Sequence, residues 1–133
     1  MSTATSSGFT QSAHLLLVRP IRWLHDANER RRLRHLDEAF AQARLVLGQR
    51  MFAQGIDDDE SGAKIAAINS QLADDRLSGG EAQELRASRN LLYVRLADAA
   101  LESDAPLPGA DVEFEHALGL KRQCDAARAH TFA

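Results

Sequence analysis

The sequence predicts an all-α fold: a long N-terminal helix, an antiparallel helical hairpin and a C-terminal helix, forming a bundle with coiled-coil character. Apolar residues recur every three or four positions over most of the chain, which is the period of one face of an α-helix. Breaks rich in glycine or proline, near residues 55, 79 and 106–109, divide this pattern into four segments. The 133 residues are enough for one domain with a single core.

The first segment contains a tail and the longest helix. Residues 1–13 are rich in Ser, Thr and Ala and carry no charge, so we expect a disordered tail before a single helical domain over 14–133. We predict the first helix over 20–54, because Pro20 suits a first-turn position. Its apolar positions alternate steps of three and four, as in a heptad seam; they are Leu33, Leu36, Phe40, Ala43 and Leu47. Residues 25–32 contain one apolar residue, so the helix there is either solvent-exposed or broken.

The next two segments predict an antiparallel hairpin of helices over 60–76 and 81–103. Gly55 is typical of the position just after a helix end, and the acidic run 57–60 suits the positive N-terminal dipole of the next helix. Only residues 77–80 separate the two predicted helices. A loop of that length forces neighbouring helices to run antiparallel.

The last segment predicts a helix over 111–129. Two prolines and a glycine in residues 104–109 end the preceding helix. Residues 111–116 alternate polar and apolar side chains, which is a strand pattern, but the same residues also continue a helical face. Because a lone strand would have nothing to pair with, we favour helix.

Composition and motifs argue against several classes of function. The single cysteine, Cys124, excludes an intrachain disulfide and a cysteine-based zinc site. The sequence contains no nucleotide-binding loop, nucleophile elbow or metalloprotease helix. The acidic run 57–60 resembles the opening of a calcium-binding loop, but Ile65 and Ile68 occupy the later ligand positions. We therefore predict no enzyme, no catalytic or metal-binding residue and no cofactor.

Charge is unevenly distributed along the chain. Residues 19–50 hold eight arginines against four acids, whereas residues 51–133 hold eight basic residues against 15 acids, for a net charge of −3. Such asymmetry is typical of a protein with an anionic partner, or of two halves of one bundle that attract each other.

Candidate partner-binding residues lie in the first helix and just before it. Arg30, Arg31 and Arg34 belong to an arginine-rich stretch, with Trp23 two turns upstream. This stretch is a solvated face supported by neighbouring acids, a protein-binding face, or a surface for nucleic acid or anionic lipid. Leu15 and Leu16 belong to the most apolar stretch, which would anchor at a membrane surface, dock into a partner groove or fold back over the hairpin.

Together these features predict a non-enzymatic helical interaction or scaffold module. Narrow apolar seams rarely bury enough surface to stabilise a monomer of this size, so we expect a protein partner or a homo-oligomer. The alternative is nucleic-acid or anionic-surface binding through the arginine-rich helix, which the acidic overall charge makes less favourable. No transmembrane segment or secretory signal is predicted, so we expect a cytoplasmic location.

Overall fold

The structure, a computed structural model, shows four α-helices in the residues that it describes and confirms the predicted all-α fold. The helices are α1 (Ser2–Ala53), α2 (Asp59–Leu72), α3 (Gly79–Ser103) and α4 (Asp111–Phe132). α1 contacts both α3 and α4, α2 packs on α3, and the contact between α3 and α4 is slight. α1 is therefore the central element of a helical bundle.

The description covers the backbone of residues 2–103 and 107–132 and the side chains of residues 24–58, 60–103 and 107–130. Within these ranges no strand occurs, and residues 111–116 form the first turns of α4. A single strand would leave its backbone donors and acceptors unpaired, whereas a helix pairs them internally. The preference for helix in this segment is confirmed.

The start of α1 differs from the prediction. Helical backbone begins at Ser2, in place of a disordered tail over residues 1–13 and a helix that starts at Pro20. Proline removes one backbone donor and costs about 3 kcal/mol in a helix interior, but it does not prevent helix on both sides of it. The Ala and Leu residues before it are good helix formers. The stretch 25–32, which the sequence left open, is continuous helix.

Gly55 follows the end of α1, as predicted. Its φ of 74° is a left-handed conformation that glycine adopts without a Cβ penalty. Across this turn the backbone N of Ile56 donates to the carbonyl of Met51 at 2.8 Å. Asp58 then caps α2 by accepting hydrogen bonds from the backbone N of Ser61 at 2.5 Å and from its hydroxyl at 3.1 Å. These hydrogen bonds lower the pKa of the Asp58 carboxyl, so the acidic run serves as a helix cap.

α2 and α3 form the predicted hairpin, with a longer connection than expected. α2 ends at Leu72 rather than at residue 76. The carboxylate of Asp74 accepts a hydrogen bond from the backbone N of Arg76 at 3.0 Å, and such local bonds compete with helix. Ser78 begins α3 by accepting a hydrogen bond from the backbone N of Glu81 at 3.1 Å.

The core lies between α1 and the helices around it. Leu47 of α1 and Ile65 of α2 are its largest fully buried side chains. The other buried apolar residues of this cluster are Ala43, Met51, Leu92, Tyr93, Leu96, Ala97, Ala100, Leu101, Leu107, Ala110 and Ala117. Because many are alanines, the helices pack close together rather than around large side chains.

α1 and α3 approach each other closely at Gly48. A Cβ built at this position would overlap the carbonyl oxygen of Tyr93 and lie 2.8 Å from its Cα. The missing Cβ is therefore what allows the two backbones to touch. One turn further along α1, the ring of Phe52 packs edge-on against that of Tyr93, with centroids 6.1 Å apart.

α4 runs antiparallel to α1. At one end, Arg50 Nε donates to the carbonyl of Gly109 at 2.8 Å and lies 3.9 Å from a carboxylate oxygen of Glu113. At the other end, Arg128 donates to Asp37 at 2.8 Å. Both contacts involve exposed side chains, so α4 is fixed to α1 by polar contacts at its ends and by apolar packing between them. The coiled-coil character expected from the heptad spacing stays a prediction.

Candidate interaction surface

The predicted arginine cluster lies on the solvent-exposed side of α1. Arg30, Arg31 and Arg34, here called the arginine face, are all exposed. The guanidinium group of none of the three forms a hydrogen bond or an ion pair with another residue that the structure describes. Trp23, Leu15 and Leu16, the other predicted partner-binding residues, have side chains outside the described residues. Of the predicted site, the structure therefore places the side chains of the three arginines.

Arg31 and Arg34 of the arginine face lie on the side of α1 away from α4, whereas Arg30 lines a pocket beside His130 of α4. Leu33 and Leu36 are half-buried and, with Ala127 of α4, line a shallow groove between the two helices. At 3.6 residues per turn, Arg31 and Arg34 lie on the opposite side of α1 from this groove. The same helix therefore uses one side for α4 and keeps the other for solvent or a partner.

The arginine face leads into an apolar groove between α1 and α3. Positions 31, 34, 38 and 45 are three, four and seven residues apart, so they lie along one face of α1. Beyond Glu38 this face becomes apolar at Leu45, and α3 forms the other wall of the groove. The lining residues are Glu38, Ala41, Gln42, Leu45, Ala87, Asn90, Leu91 and Val94.

A second apolar groove lies on the other side of α3, against α2. It is lined by Lys64, Ala67, Ile68, Ser88, Leu91, Leu92 and Arg95. Leu91 lines both grooves and is 68% exposed, so it stands as a ridge between them. We call this ridge together with its two grooves the Leu91 surface. An exposed leucine between two mostly apolar grooves is unlike the scattered apolar residues of an ordinary surface.

The two sides of the Leu91 surface carry opposite charge. Glu38 borders the α1 side, whereas Lys64 and Arg95 border the α2 side. Glu38 and Arg95 are exposed and form no ion pair with a described side chain, whereas Lys64 pairs with Glu60 at 2.8 Å. Glu38 therefore has no ionic partner among the described side chains, whereas Lys64 and, more weakly, Arg95 lower the pKa of the Glu60 carboxyl.

Contacts between the helices hold the base of this surface in place. Arg44 of α1 donates two hydrogen bonds to the carboxylate of Asp98 in α3, at 2.7 and 2.5 Å. On the α2 side, Arg89 donates to Asn69 at 3.0 Å and lies 5.9 Å from the centre of the Tyr93 ring. The grooves are thus shaped by side chains whose positions are fixed on both flanks of α3.

Sequence reasoning missed the Leu91 surface. It sought the partner surface only in the predicted first helix and just before it. The available signal was the run Leu91–Val94, four consecutive apolar residues in a helix. Four consecutive positions cover a full turn, so at least one of them must face away from the core.

The only cysteine offers no reactive site. Cys124 of α4 is 3% exposed. Burial raises the pKa of its thiol, and the nearby carboxylate of Asp37 raises it further. A thiol of this kind stays protonated at neutral pH and is a weak nucleophile. In the part of the chain that is described, no cluster of three or more His, Cys, Asp or Glu side chains is arranged to hold a metal ion.

The described residues form an all-α bundle of four helices with an exposed apolar surface along α3. No protein-family model matches the chain, and no curated protein or solved structure is significantly similar to it. Among the residues that the structure describes, none of the helices has the length and apolarity needed to cross a membrane.

Proposed function

We propose that this protein is a non-enzymatic helical interaction module that holds a protein partner on the Leu91 surface. The single observation behind the proposal is the exposure of Leu91 between two apolar grooves. Fully burying a leucine side chain contributes about 1.5–3 kcal/mol. A partner that covered Leu91 and filled the grooves would gain this contribution, whereas the isolated chain does not.

The composition of the Leu91 surface supports the same proposal. Its centre is apolar and its border carries Glu38, Lys64 and Arg95. An apolar centre with a polar, charged border is the usual arrangement of a protein–protein interface. In this proposal the packed helices act as a stiff scaffold and the partner is recognised by shape and border charge.

Site-specific photo-crosslinking in cells that express the protein tests this function. Ala87 is an exposed residue of the α1–α3 groove and is replaced by p-benzoylphenylalanine. Val112 is 79% exposed but lies on α4, away from the two grooves, so the same replacement there is the matched control. We expect protein adducts from position 87 and few from position 112.

The mass of the adduct separates the kinds of partner. An adduct of twice the chain mass indicates a second copy, and any other mass indicates a different protein. Equal crosslinking from positions 87 and 112, or none from position 87, would argue against a partner on the Leu91 surface.

A second candidate function, binding of a polyanion, has a specific observation in its favour. Arg30, Arg31 and Arg34 are exposed and lack ionic partners among the described residues. Clustered cations of this kind bind phosphates through release of condensed counterions. Each phosphate neutralised adds close to one unit to the salt dependence of binding.

Binding to random-sequence duplex DNA at several salt concentrations tests the second candidate. If the arginine face carries binding, the affinity should fall steeply with salt. Replacing all three arginines by glutamine should then abolish it. An affinity that is unchanged in the triple variant, or no binding at low salt, would remove this candidate.

A further inference from the structure

We propose that the partner on the Leu91 surface is a second copy of this chain, related by a two-fold axis that runs along α3. This inference rests on the proposed function, because it names the occupant of the same surface. Two-fold dimers are the commonest protein oligomers, and their interface uses the same patch of both subunits.

The charge pattern of the Leu91 surface favours this occupant. A two-fold axis along α3 places the α1 side of one copy over the α2 side of the other. Glu38 of each copy then faces the border that carries Arg95 in its partner, where Lys64 already pairs with Glu60. Glu38 and Arg95 are opposite in sign, and the two-fold symmetry forms this pair twice.

The shape of the surface fits the same arrangement. Leu91 lies between the two grooves and is 68% exposed, so it is close to the proposed axis. The two copies of Leu91 would meet there, and each α1–α3 groove would cover a partner's α2–α3 groove. An axis across α3 would instead place Glu38 opposite the α1 side of the partner, where no described lysine or arginine lines the groove.

Sedimentation equilibrium of the purified full chain measures the dimer directly. We expect a mass of twice 14.6 kDa at tens of micromolar and dissociation on dilution. Leu91→Glu should weaken dimerisation by about 100-fold or more, because two leucine contacts are lost per dimer. Val112→Glu is the matched control, since it adds the same charge at an exposed site elsewhere, and it should leave the dimer unchanged.

Charge exchange identifies the symmetry. Glu38→Arg and Arg95→Glu should each weaken the dimer by about tenfold, because each places like charges across the interface. An equimolar mixture of the two variants should associate more tightly than either alone, because each mixed dimer restores both opposite pairs. Circular dichroism of every variant shows whether the helical fold is retained.

Two results would overturn the inference. One is a wild-type chain that remains monomeric at hundreds of micromolar, and the other is a dimer that Leu91→Glu does not weaken. Failure of the mixture to recover affinity would overturn the axis along α3. In each case the crosslinking from position 87 still decides the broader function, because it detects a different protein partner as well.

Discussion

The two parts of α1 that the structure describes in side-chain detail use the same helical period for different purposes. From Ala43 to Met51 the inward positions are buried, and Gly48 brings the backbone of α1 against that of α3. Over residues 24–38 no described side chain is fully buried, and the exposed positions include the arginine face.

The difference between these parts comes from the neighbouring helices rather than from the spacing of α1 itself. Leu33 and Leu36 belong to the same alternating spacing of three and four residues as Ala43 and Leu47. They are nevertheless only half-buried. A period of three and four residues identifies a face of the helix. Whether that face is buried depends on how much of a second helix lies over it. The inner part of α1 should therefore control stability, whereas substitutions of exposed residues in the outer part should change it little.

The largest effect is expected from Gly48→Ala. The new Cβ would overlap the backbone of Tyr93, which cannot move aside as a flexible side chain could. Separating α1 from α3 should lower the free energy of unfolding by about 4 kcal/mol, the upper range for a single substitution. Urea unfolding followed by circular dichroism measures this.

Gly119→Ala is the control for Gly48→Ala. Gly119 lies inside α4, and a Cβ there would meet no atom within 4 Å. Because alanine is the better helix former, this variant should be more stable by about 0.5–1 kcal/mol. A Gly48→Ala protein as stable as wild type would mean that the close approach of α1 and α3 is not required.

Leu47→Ala should have the next largest effect on the free energy of unfolding. Leu47 is fully buried in the core, so its truncation removes apolar contacts and leaves a cavity. The expected loss is about 3 kcal/mol, measured by the same urea unfolding. Val46→Ala is the matched neighbour, 41% exposed, and should lose about 0.5 kcal/mol. Equal losses at the two positions would contradict the burial pattern of α1.

Much of the fold could be predicted because it depends on local signals. Gly55 and Ser78 mark a helix end and a helix start through backbone geometry and capping that a short stretch of sequence specifies. The apolar period located Leu47 on the inward face of α1, and it is buried in the core. The end of α2 was misplaced, since the turn at Asp74 uses a side-chain hydrogen bond that competes with an otherwise acceptable helix.

The Leu91 surface could not be predicted in the same way, because it depends on three helices at once. The sequence shows that one residue of Leu91–Val94 must face outward, but not which grooves would lie beside it. The groove between α1 and α3 also depends on the distance between these helices, which Gly48 keeps short. The contact between Gly48 and the backbone of Tyr93 joins residues far apart in the sequence. The apolar spacing of neither helix predicts it.

A smaller effect is expected from the ion pair that ties the inner part of α1 to α3. Arg44 donates two hydrogen bonds to Asp98, and their side chains are 26% and 44% exposed. A double-mutant cycle with Arg44→Gln and Asp98→Asn should give a coupling of about 1 kcal/mol, near the upper limit for partly exposed pairs.

The ion pair in the outer part of α1 provides the comparison for that cycle. Arg128 donates one described hydrogen bond to Asp37, and both side chains are about half exposed. Its coupling should be near 0.3 kcal/mol, roughly the value for an exposed pair. If the outer pair coupled more strongly than the inner one, the outer contact of α1 with α4 would be the more important of the two.

The smallest effect on stability is expected from the arginine face itself. Replacing Arg30, Arg31 and Arg34 by glutamine removes three charges that have no ionic partner among the described residues. Glutamine has nearly the helix propensity of arginine, so the free energy of unfolding should change by less than about 0.5 kcal/mol. Arg44→Gln, which breaks a defined pair in the same helix, should cost more than all three substitutions together. A triple variant that loses more stability than Arg44→Gln would mean that these arginines stabilise the fold, and the division of α1 into a packing part and a solvent-exposed part would then be wrong.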